Sequence, residues 1–459
     1  MSSASLVNLA PLMNIILMGL IVALGPLTWV WLKTRGDLIT EAHQAEKAEQ
    51  ELRSRQRLLL LSQITLFLTF DLLMFGAFTR LTDSGLGCPD WPGCYGHGSP
   101  SGANAMIEGA QAIMPTGPVT HVKAWIEMIH RYLATGVGVL ILTIALFTVS
   151  QKYPRALKFE SLLILFWVCL QGAFGALTVT MRLFPAIVTM HLLGAVMLLI
   201  LLTRFVTAQR SWVGLIKGGL EGVPSLEQNA LTPQASSDQH SHKEHIENIA
   251  RALRRVSQPA HQQGLTKYLP TLLGLGLMLV LIQIVLGGWV STNYAVTACS
   301  TFPMCQNSWW PLMNFSEGFE IWRALGVTSK GEILNFESLT AIHYTHRLTA
   351  YVVFAYLSAL GYLLQKEAHY KTLGQLIWVL ISLQVATGIS NVVFQWPLFA
   401  AVLHTGGAAA LGIVLTSGLR MFRPQEGLGL TAVRQSNQTP LQTTNASYTH
   451  TSETPRGSI

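Results

Sequence analysis

The sequence predicts an all-α polytopic membrane protein: two parallel pseudo-repeated four-helix bundles plus one extra N-terminal transmembrane helix. Three observations lead there. Half of the residues are hydrophobic and only 12% are charged, and the mean hydropathy is +0.40, too apolar for an ordinary soluble domain. Nine apolar runs have the ~20-residue length that crosses ~30 Å of hydrocarbon; they lie near 8–31, 58–78, 125–149, 159–180, 186–206, 268–290, 341–364, 372–394 and 398–419. Distinctive residues also recur at a nearly constant offset. Cys88 to Cys299, Cys94 to Cys305 and Gly76 to Gly287 are 211 apart; Gln171 to Gln384, Gly175 to Gly388 and His191 to His404 are 213; His130 to His346 is 216. Segments two to five therefore correspond to segments six to nine, and since both sets enter from the same side, the repeat is a rotation about the membrane normal.

The first run lacks a basic start and is long enough to span, so it reads as an uncleaved helix. With the charged arm Glu41 to Arg57 it makes an accessory anchor over 1–57. The net charge of +7 sits in particular loops. Lys33, Arg35, Lys47, Arg53, Arg55 and Arg57 follow the first segment, Lys152, Arg155 and Lys158 the third, Arg204, Arg210 and Lys217 the fifth, and Lys366 and Lys371 the seventh. These loops are expected to be cytoplasmic, with the amino terminus outside and the carboxyl tail inside. Charge placed this way reports orientation and excludes a nucleic-acid partner as its explanation.

The chain then divides into a four-helix half at 58–207, a cytoplasmic linker at 208–267, a second half at 268–420 and a disordered tail at 421–459. The linker is rich in Gln, Ser, Pro and His, and its His240, His242 and His245 read as a solvated tract. In the first half, Asp71 is expected to be hydrogen-bonded within the bundle. Its helix ends in a Gly- and Pro-dense loop, Gly76 to Cys94, on the outward, oxidising side. Cys88 and Cys94 there, and Cys299 and Cys305 at the same spacing in the other large outer loop, read as two short disulfides. Metal binding is disfavoured because no third and fourth ligand is spaced nearby. Cys169, alone within a helix, reads as packing.

The organising stretch is Trp125 to Tyr132. Glu127 and His130 share one helix face at the mouth of a transmembrane segment, with Arg131 beside them, and ionisable groups in that position mark a functional site. His343 to Arg347 repeats the pattern with His343 in the place of Glu127. His191 follows Pro185 by six residues and His404 follows Pro397 by seven, which puts both imidazoles roughly 10 Å inside the outer boundary at ~1.5 Å per residue. Each half thus offers two imidazoles at similar depth: His130 with His191, and His346 with His404. Such a pair can supply both axial ligands of a haem iron in an apolar pocket. The absence of Cys-x-x-Cys-His argues against covalent attachment. Gln171 and Gln384 read as ties between helices, and the glycines near Gly136, Gly175, Gly194 and Gly406 as sites where helices and a flat macrocycle approach closely.

Over about Leu58 to Leu419 these residues resemble the haem A synthase family, the bacterial type with cysteines in its outer loops. The most specific pieces are Gly76 to Cys94, Glu127 to Arg131, His191, His343 to Arg347 and His404. The resemblance implies an oxidoreductase that converts a ring methyl of haem O to a formyl group through an alcohol, for cytochrome oxidase. It implies haem b as cofactor, with His346 and His404 as its axial ligands, while His130 and His191 hold haem O and Glu127 is the catalytic carboxylate. It implies the disulfide Cys88–Cys94. The implied partners are haem O, the membrane and an electron-transfer protein, with haem O synthase and a second copy of the chain as further candidates. The expected location is the bacterial plasma (inner) membrane. The extra first helix, the long linker and Asp71 depart from the eight-helix pattern.

Three other readings compete. A bis-histidine cytochrome b exchanging electrons with quinone needs the histidines but has no use for Glu127, whose counterpart is His343. A disulfide oxidoreductase needs the cysteines but not buried histidines. A transporter explains the repeat alone, and no matching pair of broken helices is apparent.

Overall fold

The computed structural model describes residues 10–33, 43–221 and 267–422. The linker histidines and the tail beyond Phe422 lie outside the described residues. Among the described residues, nine helices are long and apolar enough to cross a membrane. They are α1 (Ala10–Lys33), α2 (His43–Leu81), α3 (His121–Ser150), α4 (Arg155–Thr180), α5 (Pro185–Glu221), α6 (Leu269–Thr292), α7 (Phe336–Gln365), α8 (Lys371–Val393) and α9 (Leu398–Met421). Shorter helices, Asn104–Ile113 and Phe315–Gly318, sit in the two large loops. No strand occurs among the described residues, only isolated bridges.

The helix ends differ from the apolar runs for local reasons. Thr120 caps α3 by accepting from the Lys123 amide at 3.3 Å, and Asn335 caps α7 by accepting from the Ser338 amide at 2.8 Å. Both helices therefore begin a turn or more before their apolar stretch. Helix α2 has 39 residues, so the charged arm and the span are one rod of roughly 58 Å at 1.5 Å per residue. Helix α5 continues to Glu221, so the first residues of the proposed linker are helical. The run Thr207 to Ser211 contains no Gly or Pro to end it.

Helices α2, α3, α4 and α5 close a ring in which each touches the next and α5 returns to α2; α6, α7, α8 and α9 do the same. Away from the disulfide loops each ring is plugged with hydrocarbon. In one the plug includes Leu140, Ile144, Leu202 and Phe205; in the other, Leu269, Leu357, Ile377 and Leu415. Leu140 lies roughly 15 Å farther along α3 than His130, at 1.5 Å per residue. The histidines thus occupy the loop-side end of each ring and a packed core fills the other.

The rings meet through α5 against α6 and α9, and through α2 against α9. Arg80, at the end of α2, donates to the Ser291 carbonyl on α6 at 2.6 Å and lies 4.3 Å from the Tyr294 ring centroid. The Tyr294 hydroxyl donates to Asp83 at 2.6 Å; burial pushes this phenol's pKa up, so it keeps the proton it donates. At the opposite end Glu160 of α4 accepts from Arg420 of α9 at 2.7 Å and Arg204 of α5 at 3.3 Å. Helix α1 stands outside the first ring. A methyl on Gly136 of α3 would strike Val22 of α1, and one on Gly19 of α1 would strike Thr135 of α3.

Candidate functional site

Every one of the four membrane histidines faces a glycine on the preceding helix of its ring. A methyl placed on Gly76 of α2 would lie 3.0 Å from His130 Nε2, and one on Gly175 of α4 would lie 3.3 Å from His191 Cε1. In the other ring, a methyl on Gly287 of α6 would lie 2.9 Å from His346 Cε1, and one on Gly388 of α8 would lie 3.4 Å from His404 Cε1. Any larger residue would press on the imidazole, so the sequence keeps flat space beside each ring. The His346 and His404 ring centres are 6.5 Å apart. Two imidazoles that share one metal atom at metal–nitrogen distances of ~2 Å have centres roughly 6 Å apart, so one ion fits between them. Among the described residues no group of three or more His, Cys, Asp and Glu is placed to hold a metal. Two opposed imidazoles with glycine-lined flanks and no third ligand suit a metal that brings its own equatorial donors, as haem iron does.

Above each pair a loop is clasped to the histidine-bearing helix by an arginine. Arg131 donates through Nη1 to the carbonyls of Asp90 and Pro92, each at 3.0 Å, and of Gly93 at 2.6 Å. Arg347 donates through Nη1 to the carbonyls of Thr301 at 2.8 Å and Met304 at 2.9 Å, and through Nη2 to that of Cys299 at 3.2 Å. Cys88 is bonded to Cys94, and Cys299 to Cys305, inside these loops. Arg131 also pairs with Glu127, whose other oxygen accepts from the Cys88 amide at 2.8 Å. Glu127 is only 4% exposed. His343 takes the same position in the other half by different chemistry. Its Nδ1 donates to the Ala295 carbonyl at 3.0 Å, and Arg347 donates to its Nε2 at 3.3 Å. One loop is therefore held by a carboxylate and the other by a neutral imidazole.

Behind the rings stands a layer of polar partners. Gln171 Nε2 lies 3.1 Å from His191 Nδ1 and donates to the His191 carbonyl at 2.6 Å. Gln384 Nε2 donates to the His404 carbonyl at 3.0 Å, while Thr387 Oγ1 lies 2.9 Å from His404 Nδ1. Gln171 and Gln384 thus tie helices together as expected. Gln283 was not singled out by the repeat, yet its Nε2 lies 3.0 Å from both Nδ1 and the carbonyl of His346. The signal was present: Gln283 is a lone amide in the otherwise apolar run of α6.

The glycines serve close approach as expected, mostly between helices, while the expectations for Cys169 and Asp71 are corrected. Gly136 serves the approach of α1, Gly194 makes room for Gln171, and Gly406 faces Met74 of α2; of the four glycines named, Gly175 alone flanks a histidine. Cys169 is exposed on α4 instead of packed. Asp71 is exposed on α2 and has no hydrogen bond among the described residues. Neither pattern nor offset could reveal these orientations, because each depends on which helix stands opposite.

A family model described as cytochrome oxidase assembly protein, COX15-CtaA, matches residues 59–230 and 246–416. The heme A synthase of Shewanella oneidensis is 36% identical over 359 residues, covering 78% of this chain and 94% of its own. That of Rhizobium rhizogenes is 25% identical over 388 residues, 79% of this chain and 89% of its own. That of Halalkalibacterium halodurans is 23% identical over 344 residues, 72% and 86% respectively.

Proposed function

The chain belongs to the cytochrome oxidase assembly family COX15-CtaA, and from that membership we propose that it acts as a heme A synthase, an oxidoreductase that turns a ring methyl of haem O into the formyl group of haem A. It is a multi-pass bacterial membrane protein. The observation that carries the reading is the four histidines, each flanked by glycine, with His346 and His404 facing one another across their ring. A bis-histidine cytochrome b would use the same pairs but leaves the asymmetry of Glu127 and His343 without a purpose.

We assign His346 and His404 to a resident haem b, and His130 and His191 to the substrate haem O. When bound, the resident haem supplies one-electron storage. The chain's own residues do the rest. The apolar plugs exclude water from the far end of each ring, and the glycines give the macrocycle its flat slot. Arg131, with three loop carbonyls and Glu127 in its grasp, holds the Cys88–Cys94 loop against the turn of α3 that carries His130. Glu127 is the carboxylate one turn before His130 on the same helix, and we assign it the proton transfers that oxidation of a methyl group requires. A second reading has a specific observation behind it: both Glu127 oxygens are already engaged, one by Arg131 and one by the Cys88 amide, as a purely structural loop anchor would be.

Glu127→Gln separates the two. The amide oxygen can still accept from Cys88 while its NH2 faces Arg131, which keeps its three loop carbonyls, so a structural role is weakened but survives the change. Acid-base work does not. Haems extracted from cells carrying the variant are expected to be haem O or its alcohol with little haem A, while the purified protein keeps its b-type spectrum. Normal haem A from this variant would remove Glu127 from the chemistry and leave it an anchor.

A further inference from the structure

The Nδ1 partners of the four histidines are unequal. His346 has Gln283 and His404 has Thr387, so both members of that pair are braced from behind. Thr387 donates its own hydroxyl proton to the Leu383 carbonyl at 2.7 Å, leaving a lone pair for the His404 Nδ1–H, the tautomer that frees Nε2 for a metal. Gln283 and Gln171 each direct NH2 at the ring and at the same histidine's carbonyl, and Gln283 Oε1 accepts from Thr349 at 2.7 Å; turning the Gln283 amide over presents its oxygen to an Nδ1–H and its NH2 to Thr349 Oγ1. In the other ring His191 has Gln171. His130 has no hydrogen-bond partner on its ring among the described residues; it is flanked by Phe75, whose ring centre is 6.2 Å away and nearly parallel. The offset of 211 that carries Gly76 onto Gly287 carries Leu72 onto Gln283. An apolar side chain thus stands on α2 where the bracing amide stands on α6, and Leu72 packs against the apolar cluster of its ring.

A ligand histidine held through its second nitrogen keeps ring orientation and basicity, and loss of such a partner typically weakens metal affinity 10–100-fold. The resident haem has to stay through many turnovers, whereas the substrate haem must enter and the product must leave. We propose that His130 is the yielding ligand through which the substrate half exchanges its haem, and that Leu72, by withholding a brace, sets that exchange rate. Gln283 and Thr387 are the positioning residues that make the other site permanent. This rests on the assignment of the histidines as haem ligands made above.

The test transplants the brace. Detergent-solubilised full-length protein is loaded with protohaem, and its loss to excess apomyoglobin is followed optically. Variants lacking His346 and His404 report the first ring alone, and variants lacking His130 and His191 the second. The first ring is expected to release haem at least tenfold faster than the second. Leu72→Gln should slow release from the first ring about tenfold, and Gln283→Leu should speed release from the second by a similar factor. Should Leu72→Gln not fold, Gln171→Leu serves instead, stripping the remaining brace and speeding first-ring loss further. Equal release from the two rings in the unmodified chain, or unchanged rates in Gln283→Leu, would overturn the proposal. Failure of the ligand assignment looks different: full protohaem binding would persist in chains lacking the histidines themselves.

Discussion

At the scale of single residues, the glycine opposite each histidine is the smallest feature with the largest expected consequence. A methyl at Gly287 would already lie 2.9 Å from the His346 ring, and at Gly76 3.0 Å from His130. A branched side chain there must displace either the imidazole or the helix, and packed cores resist both. Gly287→Val is therefore expected to abolish the resident b-type spectrum without removing the protein from the membrane, and Gly76→Val to spare that spectrum while haem O accumulates. Absorbance of the purified variants, with extraction of their haems, checks both outcomes. The same scale shows the limit of reading the repeat by eye. Gln171 and Gln384 fall on matching positions, but Gln283 has Leu72 as its counterpart, and a search for matched residues passes over the very position where the halves differ.

At the scale of elements, the two loops are held three times over: by a disulfide, by an arginine on several carbonyls, and by the residue at position 127 or 343. Closing so short a ring stabilises by about 2 kcal/mol in the chain-entropy account. Arg131 alone satisfies three carbonyls, and stranding a buried acceptor costs about 1–3 kcal/mol. The arginine therefore outweighs the disulfide. Replacing Cys88 and Cys94 together by Ser is expected to leave a folded protein with its resident spectrum and a reduced yield of haem A. The matching Cys299 and Cys305 double variant should lower haem A less, because its loop overlies the half proposed to hold the resident haem. A larger haem A defect in the second variant than in the first would reverse the assignment of the halves. Helix α1 adds a further hold on the first loop, since Ile15 joins the buried cluster of Cys88, Cys94, Met128 and Tyr132. It lies outside the matched family region, which begins at residue 59, so this brace is an addition to the family's pattern.

At the scale of the whole molecule, the two rings are tied at both ends by polar contacts. Arg80 crosses from α2 to the Ser291 carbonyl at the loop end, and Glu160 gathers Arg204 and Arg420 at the other. Glu160 is largely buried, at 19% side-chain exposure, so Glu160→Gln would take from both Arg204 and Arg420 the carboxylate they share. The expected cost is about 1–2 kcal/mol, more than an exposed pair would contribute. It should appear as a lower melting temperature with haem content unchanged. Loss of haem from this variant would mean that the far end of the rings controls the histidine end.

What the sequence determined by itself was set by solvent and period. Hydrocarbon demands long apolar runs with satisfied backbones, so the nine helices were legible, as were the matched cysteine pairs and the four histidines that no lipid-facing helix would tolerate. The composition of the candidate site was legible too, because Glu127, His130 and Arg131 lie within about one turn and need no partner to be noticed. Tertiary structure decided orientation. Which way Gly136 or Cys169 faces, whether Asp71 finds a partner, and which side chain stands behind each imidazole depend on the helix across the gap, and that helix is distant in sequence. Gln283 reaches His346 over 63 residues and Arg420 reaches Glu160 over 260. Such contacts leave no periodic trace in the chain, since a single polar side chain in an apolar run looks the same whether it braces a ligand or only bonds to its own helix.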